Sequence, residues 1–227
     1  MHKLDRASVP VPACLASPDV PGPQRKYKDL HSTEKDEIRR ALFQMQGGER
    51  CAYCERRTSD RAGNHPNDGH VEHFRDQANN QHLDRHWPNL FWSCNDEETC
   101  GKHKDKCRGV DGPRKKFNID QLIDPCADDP ERFLLFIFDG TVRVRDGIST
   151  DDQQRAEETL RVFQLDKSPV LRRLREDAVK PYLKTLEALR MAPPTIFVNY
   201  IREQLVATQA DPFATAIKHY LESFISP

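Results

Sequence analysis

Two pairs of cysteines set the strongest constraint on how this chain can fold. Cys51-Ala52-Tyr53-Cys54 separates two thiols by two residues, and Cys94 with Cys100 forms a looser pair farther along. Thiolates spaced in this way turn onto one ion, and two such pairs usually close a tetrahedral zinc with four sulfurs. The segment between the pairs must then return to its own start. Cys51, Cys54, Cys94 and Cys100 are read as a structural zinc site, with Cys107 or His103 as alternatives to Cys100 for the fourth ligand. Seven cysteines is an odd count, and close pairing suits thiolate ligands in a reducing compartment better than a disulfide framework. Cys14 and Cys126 are assigned as free thiols, and the chain is expected in the cytoplasm.

An ion closed by four sulfurs has no open position and cannot perform hydrolysis itself. Chemistry must come from other groups, and the same stretch supplies them. His70 to Phe74 alternates apolar and polar residues as a short strand does, which sends Glu72 and His73 to opposite sides of its tip. In a phosphodiester site Glu72 can hold a hard divalent cation, magnesium or manganese, while neutral His73 takes a proton from water. Asn89 would accept from the second ring nitrogen of His73 and fix its tautomer. His103, near the start of a short lysine-rich helix, would complete the cation site opposite Glu72, with His70 as a further ligand and Lys106 on the same helical face. His65, His82 and His86 are assigned to solvated loops.

The formal charge is −1, from 35 basic and 36 acidic residues, so affinity for a polyanion must be local. Lys102, Lys104, Lys106 and Arg108, followed by Arg114, Lys115 and Lys116, form the basic stretch assigned to substrate binding. No apolar run is long enough to span a bilayer.

Around this centre the pattern is mixed. Residues 1–30 carry Pro10, Pro12, Pro18, Pro21 and Pro23 and are expected to order only on a partner. Ser32 or Thr33 can cap a helix with Ile38, Leu42 and Met45 on one face, ended by Gly47-Gly48. Strands are expected at His70–Phe74 and Asn89–Ser93, and a short helix at Cys100–Arg108. A hairpin of Phe133–Phe138 and Thr141–Val144 turns on Asp139-Gly140. Beyond Asp152 helical periodicity persists, broken at Ser168-Pro169 and Pro193-Pro194. The expected class is α+β.

The joint order of acid-histidine, asparagine-leucine, two cysteines, histidine and lysine resembles the HNH endonucleases. That resemblance implies a ββα-metal core at 31–125 braced by the four-cysteine zinc, with helical N-terminal and C-terminal segments. The Pro-rich 1–30, a β-hairpin extension at 126–150 and a helical region at 151–227 would surround it. It also implies catalytic roles for Glu72, His73, Asn89 and His103. One spacing departs from the family: Cys94-x5-Cys100-x2-His103 is longer than its Cys-x-x-Cys-His, so Asn95 stands as an alternative to His103 at the metal. The strings CAYCE, HVEHFR, NLFWSC, CGKHKD and LIDPC, beginning at 51, 70, 89, 100 and 122, are similar to the PtuB group of HNH effectors in Septu and retron antiphage systems. Membership there implies cleavage of DNA or RNA to 5′-phosphate products, and an ATPase partner of the PtuA type. A zinc-stabilised module that binds nucleic acid or protein without cutting it is the alternative.

Overall fold

The computed structural model describes residues 1–15, 25–58 and 68–225. Helix α1 (Ser32–Met45) buries Ile38, Leu42 and Met45 on one face. Its start is fixed by the Glu34 carboxylate, which accepts from the His31 N–H at 2.7 Å, rather than by a hydroxyl of Ser32 or Thr33. Gly47 and Gly48, with φ of 69° and 117°, end it in a conformation that residues with a Cβ rarely adopt.

Strands β1 (Gly69–His73) and β2 (Leu90–Cys94) pair antiparallel, with Glu72 opposite Phe91 and His73 opposite Leu90. β2 is buried along its whole length, which explains why Leu90, Phe91 and Trp92 run together without alternation. Helix α2 (Cys100–Lys106) follows β2 directly. Local order is therefore strand, strand, helix. Both strands lie one residue from their expected bounds, because Trp87–Asn89 forms a 3-10 turn before β2.

The second hairpin joins β3 (Leu134–Phe136) to β4 (Val142–Val144). Its turn is longer than the two residues expected: Ile137 N–H donates to Thr141 O at 2.9 Å and Gly140 N–H to Ile137 O at 3.0 Å. Gly140 takes φ 80°, and a Cβ there would stand 1.9 Å from Arg172 O. Glycine thus serves both the turn and the close approach of the backbone at Arg172. The helical part comprises α3 (Thr150–Phe163), α4 (Pro169–Leu189), α5 (Pro194–Ala207) and α6 (Ala214–Glu222). Ser149 and Ser168 cap α3 and α4 through Asp152 N and Leu171 N. The expected last helix is two, because Phe213 adopts φ 58° between them.

A main core joins α1, both hairpins, α2, α3 and the start of α4, while a second cluster of Val179, Leu186, Ile201, Ile217, Tyr220 and Leu221 sits among α4, α5 and α6. The N-terminal stretch departs from expectation. Met1, Leu4 and Val9 are buried in the main core, and the Met1 ammonium lies 2.5 Å from the buried Glu55 carboxylate. A few well-spaced apolar residues outweigh the proline content there. Pro18, Pro21 and Pro23 lie outside the described residues.

Candidate active site

Two centres share the β1–β2–α2 unit. In the first, the Sγ atoms of Cys51, Cys54, Cys94 and Cys100 lie within 4.8 Å of one another and all four residues are buried. Backbone geometry brings them there. Glu55, with φ 64°, turns the chain so that its N–H reaches Cys51 O at 3.0 Å, and Ala52 N–H bonds Trp92 O at 2.9 Å, tying the Cys51–Cys54 turn to β2. Cys100, with φ 53°, makes the second sharp bend as α2 begins. Sulfurs around a tetrahedral zinc with bonds of about 2.3 Å stand about 3.8 Å apart, and Cys54 and Cys94 are separated by 3.9 Å. Burial pushes the Cys54 and Cys100 thiols well up, whereas Cys51 is held well below the usual thiol range despite its burial, by hydrogen bonds from Cys100, Cys54 and Cys94. Four buried sulfurs this close together are the donor set that a cation such as zinc satisfies. Cys107 is not part of it: its Sγ faces His103 O at 3.4 Å and Pro113 O at 3.7 Å. The fourth member is Cys100.

The second centre is a cleft of about 530 Å³ whose lining includes His70, Glu72, His73, Asp84, Asp105 and Arg108. Glu72 is 2% exposed. Its Oε2 lies 3.1 Å from His70 Nε2. Lys104 Nζ forms a buried ion pair with Oε1 at 2.9 Å. Burial opposes the charge on Glu72, yet Lys104 and His70 hold its carboxyl below the ordinary range. Gly101 makes this fit possible, since a Cβ there would come within 2.5 Å of Glu72 Oε2. Burial, and the charge of Glu72, raise Asp105 above the usual carboxylate range.

His73 is buried, with Nε2 2.8 Å from the Asp84 carbonyl oxygen. A carbonyl only accepts, so Nε2 carries the proton and Nδ1 keeps its lone pair. The Tyr27 ring meets the imidazole edge-on at 5.3 Å, and Tyr27 N–H donates to the Asp84 carboxylate.

Three expected roles move. Asn89 does not touch His73: its Oδ1 accepts from Arg75 N at 2.7 Å, and its Nδ2 donates to Arg75 O and Leu83 O at 3.0 and 3.1 Å. It clamps the two ends of the loop that carries Asp84, and so orients His73 at one remove. His103 does not face Glu72: its Nδ1 bonds Val162 O in α3 at 2.8 Å. Positions 101, 104 and 105 share one face of α2 by their spacing of three and four, and 103 with 107 shares another. Asp105 therefore occupies the cleft and His103 the core. Asn95, the alternative to His103, hydrogen-bonds His70 Nδ1 at 2.8 Å through Oδ1.

The basic stretch divides likewise. Lys104 is buried as the counter-ion of Glu72, and Lys106 pairs with Glu97 at 2.8 Å. Arg108 lines the cleft and is exposed, while Lys102 is half-buried and outside its lining. His65 lies outside the described residues. Lys26 and Lys28 also line the cleft, from a segment whose composition gave no hint of it. Asp84 carried no motif, whereas Asp105 was accessible from helical phase relative to Gly101.

Among the described residues, no helix is long and apolar enough to cross a membrane. No protein-family model matches the chain, and no curated protein is similar to it.

Proposed function

We propose that the chain is a divalent-cation-dependent endonuclease of the HNH type, hydrolysing nucleic-acid phosphodiester bonds in the cleft between β1 and α2. The observation that carries this reading is the pairing of His73, with Nε2 fixed on the Asp84 carbonyl and Nδ1 free to accept, with the adjacent His70–Glu72 donor pair. Adjacent ligands around an octahedral ion with bonds of about 2.1 Å stand about 3 Å apart, and Glu72 Oε2 and His70 Nε2 are 3.1 Å apart. Glu72 Oε1, paired with Lys104 Nζ at 2.9 Å, anchors the carboxylate and leaves Oε2 toward His70. His70 and Glu72 would hold magnesium or manganese, with Asp105 facing the same cleft. Bound there, such an ion supplies charge stabilisation at the phosphate and leaving oxygen.

His73 takes the proton of the attacking water at Nδ1. Asp84, through its backbone carbonyl, holds the ring in the productive tautomer and stabilises the protonated ring that results. Asn89 keeps that carbonyl in place by clamping Arg75 and Leu83. The four-cysteine centre is assigned to structural zinc, which fixes β2 against the start of α2 and so sets Gly101 over Glu72. A PtuA-type ATPase partner and a cytoplasmic location belong to the same reading.

Incubation with plasmid DNA and with total tRNA, with manganese and with no divalent ion added, tests it. Cleavage that requires the ion and is abolished by His73→Ala, with fold and metal content unchanged, is the expected result. Undiminished cleavage by that variant refutes the assignment of the base. The Lys104–Glu72 pair favours the alternative of a non-cleaving binding module, since it already neutralises the carboxylate; nucleic-acid binding with no cleavage under any divalent ion would establish that second reading.

A further inference from the structure

Beside the catalytic cleft lies a second cavity, of about 770 Å³, a size within the range of roughly 300–1,000 Å³ usual for small-molecule sites. Asp76, Ala78, Asp105 and Arg108 line both cavities, so the two communicate along the end of α2. The lining of the second combines aromatic rings, Phe74 and Phe117, with the Asn118 amide and the cations Arg108 and Lys116. Phe74 is buried and Phe117 half-buried, whereas Arg108, Lys116 and Asn118 are exposed. Asn118 Oδ1 accepts from Asp120 N at 3.0 Å, which leaves its NH₂ to donate. Arg108 donates Nε to Asp105 O at 3.2 Å and forms no ion pair among the described residues.

A ring to stack on, an amide donor beside it and two cations at the rim is the chemistry that recognises a nucleobase with its phosphate. Arg108 stands with Asp76 and Asp105 on the wall shared with the catalytic cleft, while Lys116 lines the second cavity alone, so a phosphate is drawn to these two cations and away from the carboxylates. A paired base inside a duplex cannot present its face to Phe117. We propose that this second cavity is a subsite for one unstacked base next to the scissile phosphate, making the preferred substrate a single-stranded or locally unpaired polynucleotide. The inference rests on the hydrolase reading of the adjoining cleft, which fixes where the scissile phosphate lies.

Binding separates the two claims. Fluorescence anisotropy of the full chain with labelled oligo-dT and oligo-U twelve-mers, and with a blunt duplex of the same length, is measured with no divalent ion added so that nothing is cut. Single strands are expected to bind at least about tenfold more tightly than the duplex, with the dT and U arms distinguishing DNA from RNA as the source of the base. Loss of one stacking partner in Phe117→Ala should weaken that binding about tenfold, with Phe117→Trp restoring it as a merely structural role would not. Arg108→Ala should lower the salt dependence by about one phosphate contact. Equal affinity for duplex and single strand, or undiminished binding by Phe117→Ala, overturns the subsite even if cleavage is found. A chain that cuts nothing, yet loses single-strand binding on Phe117→Ala, keeps the subsite and removes the hydrolase.

Discussion

Replacing Lys104 by methionine isolates the energetics of the buried Glu72 carboxylate. The methionine stem fills most of the lysine volume, so the cavity term is small, and the change reduces to removal of one ammonium. That ammonium, 2% exposed, stands 2.9 Å from Glu72 Oε1 and 2.8 Å from Asp105 Oδ1, and donates to His73 O at 3.1 Å. The Asp105 side chain is 48% exposed, so water replaces most of its loss. Glu72 has no such recourse. Breaking a buried pair from one side costs about 3–5 kcal/mol because the remaining charge is left uncompensated, against a total stability of about 5–15 kcal/mol. Residual attraction from His70 places the expected loss near the lower end, about 3 kcal/mol.

The pH dependence gives a second handle. In the parent, the folded pKa of Glu72 is depressed, so its contribution is present above the unfolded carboxylate range and is lost as pH falls through the folded value. In Lys104→Met burial is left unopposed by the ammonium and the folded pKa rises, so acidification toward pH 5 lets Glu72 take a proton and recovers stability relative to the parent. Adding Glu72→Gln should recover at least about 2 kcal/mol at neutral pH, the coupling expected of groups in direct contact. Urea unfolding followed by the fluorescence of Trp87 and Trp92, at pH 7.5 and pH 5, measures all three quantities. A loss under about 1 kcal/mol at pH 7.5, or no rescue by Glu72→Gln, refutes the claim that Lys104 is the counter-ion of a buried charge.

Elemental analysis of the purified chain should find one zinc per chain, lost in Cys100→Ser and retained in Cys107→Ser. Because structural zinc contributes about 10–16 kcal/mol in small domains, chelation should unfold the β1–β2–α2 unit, as read by loss of cooperative thermal unfolding. His103→Ala should lower stability by about 1–3 kcal/mol through the orphaned Val162 carbonyl, while manganese affinity measured by calorimetry stays within twofold; a tenfold loss of affinity would return His103 to the cation site. Gly101→Ala should destabilise by about 1–2 kcal/mol in urea unfolding, since a methyl 2.5 Å from a fixed carboxylate oxygen outweighs the gain in helix propensity; a net increase in stability would mean that Glu72 is free to move.

The difference between what the chain announces and what it conceals follows from the range of the forces involved. Ile38, Leu42 and Met45 mark α1 because apolar periodicity is a local signal, and the Cys51–Cys54 spacing is legible because two thiols on one turn constrain each other within four residues. The fourth thiol was ambiguous, since Cys100 and Cys107 both sit where a helix could deliver them. Only the assembled fold decides it, by bringing Cys100 Sγ within 4.8 Å of the other three sulfurs and turning Cys107 Sγ to Pro113 O. The composition of 1–30 misled in the opposite direction. Proline-rich backbone disfavours a self-contained core, but Met1, Leu4 and Val9 need only fill gaps in a core built by others.

Helix α2 carries the sharpest lesson about charged residues. A run reading Cys-Gly-Lys-His-Lys-Asp-Lys presents as a solvated basic helix, yet its seven residues face three different environments. Gly101 and Lys104 cover Glu72, His103 faces the core and α3, and Lys106 meets Glu97 and Glu98 outside. Charge type alone assigned Lys104 to a ligand, whereas helical phase measured from Gly101 assigns it to a buried carboxylate that cannot stand alone. The same phase argument replaces the expected cation-site residue of α2, His103, by Asp105 as the side chain that lines the cleft. Once the glycine is recognised as the residue that must face Glu72, the other positions of α2 follow by rotation of about 100° each, so that one close contact orients the whole helix.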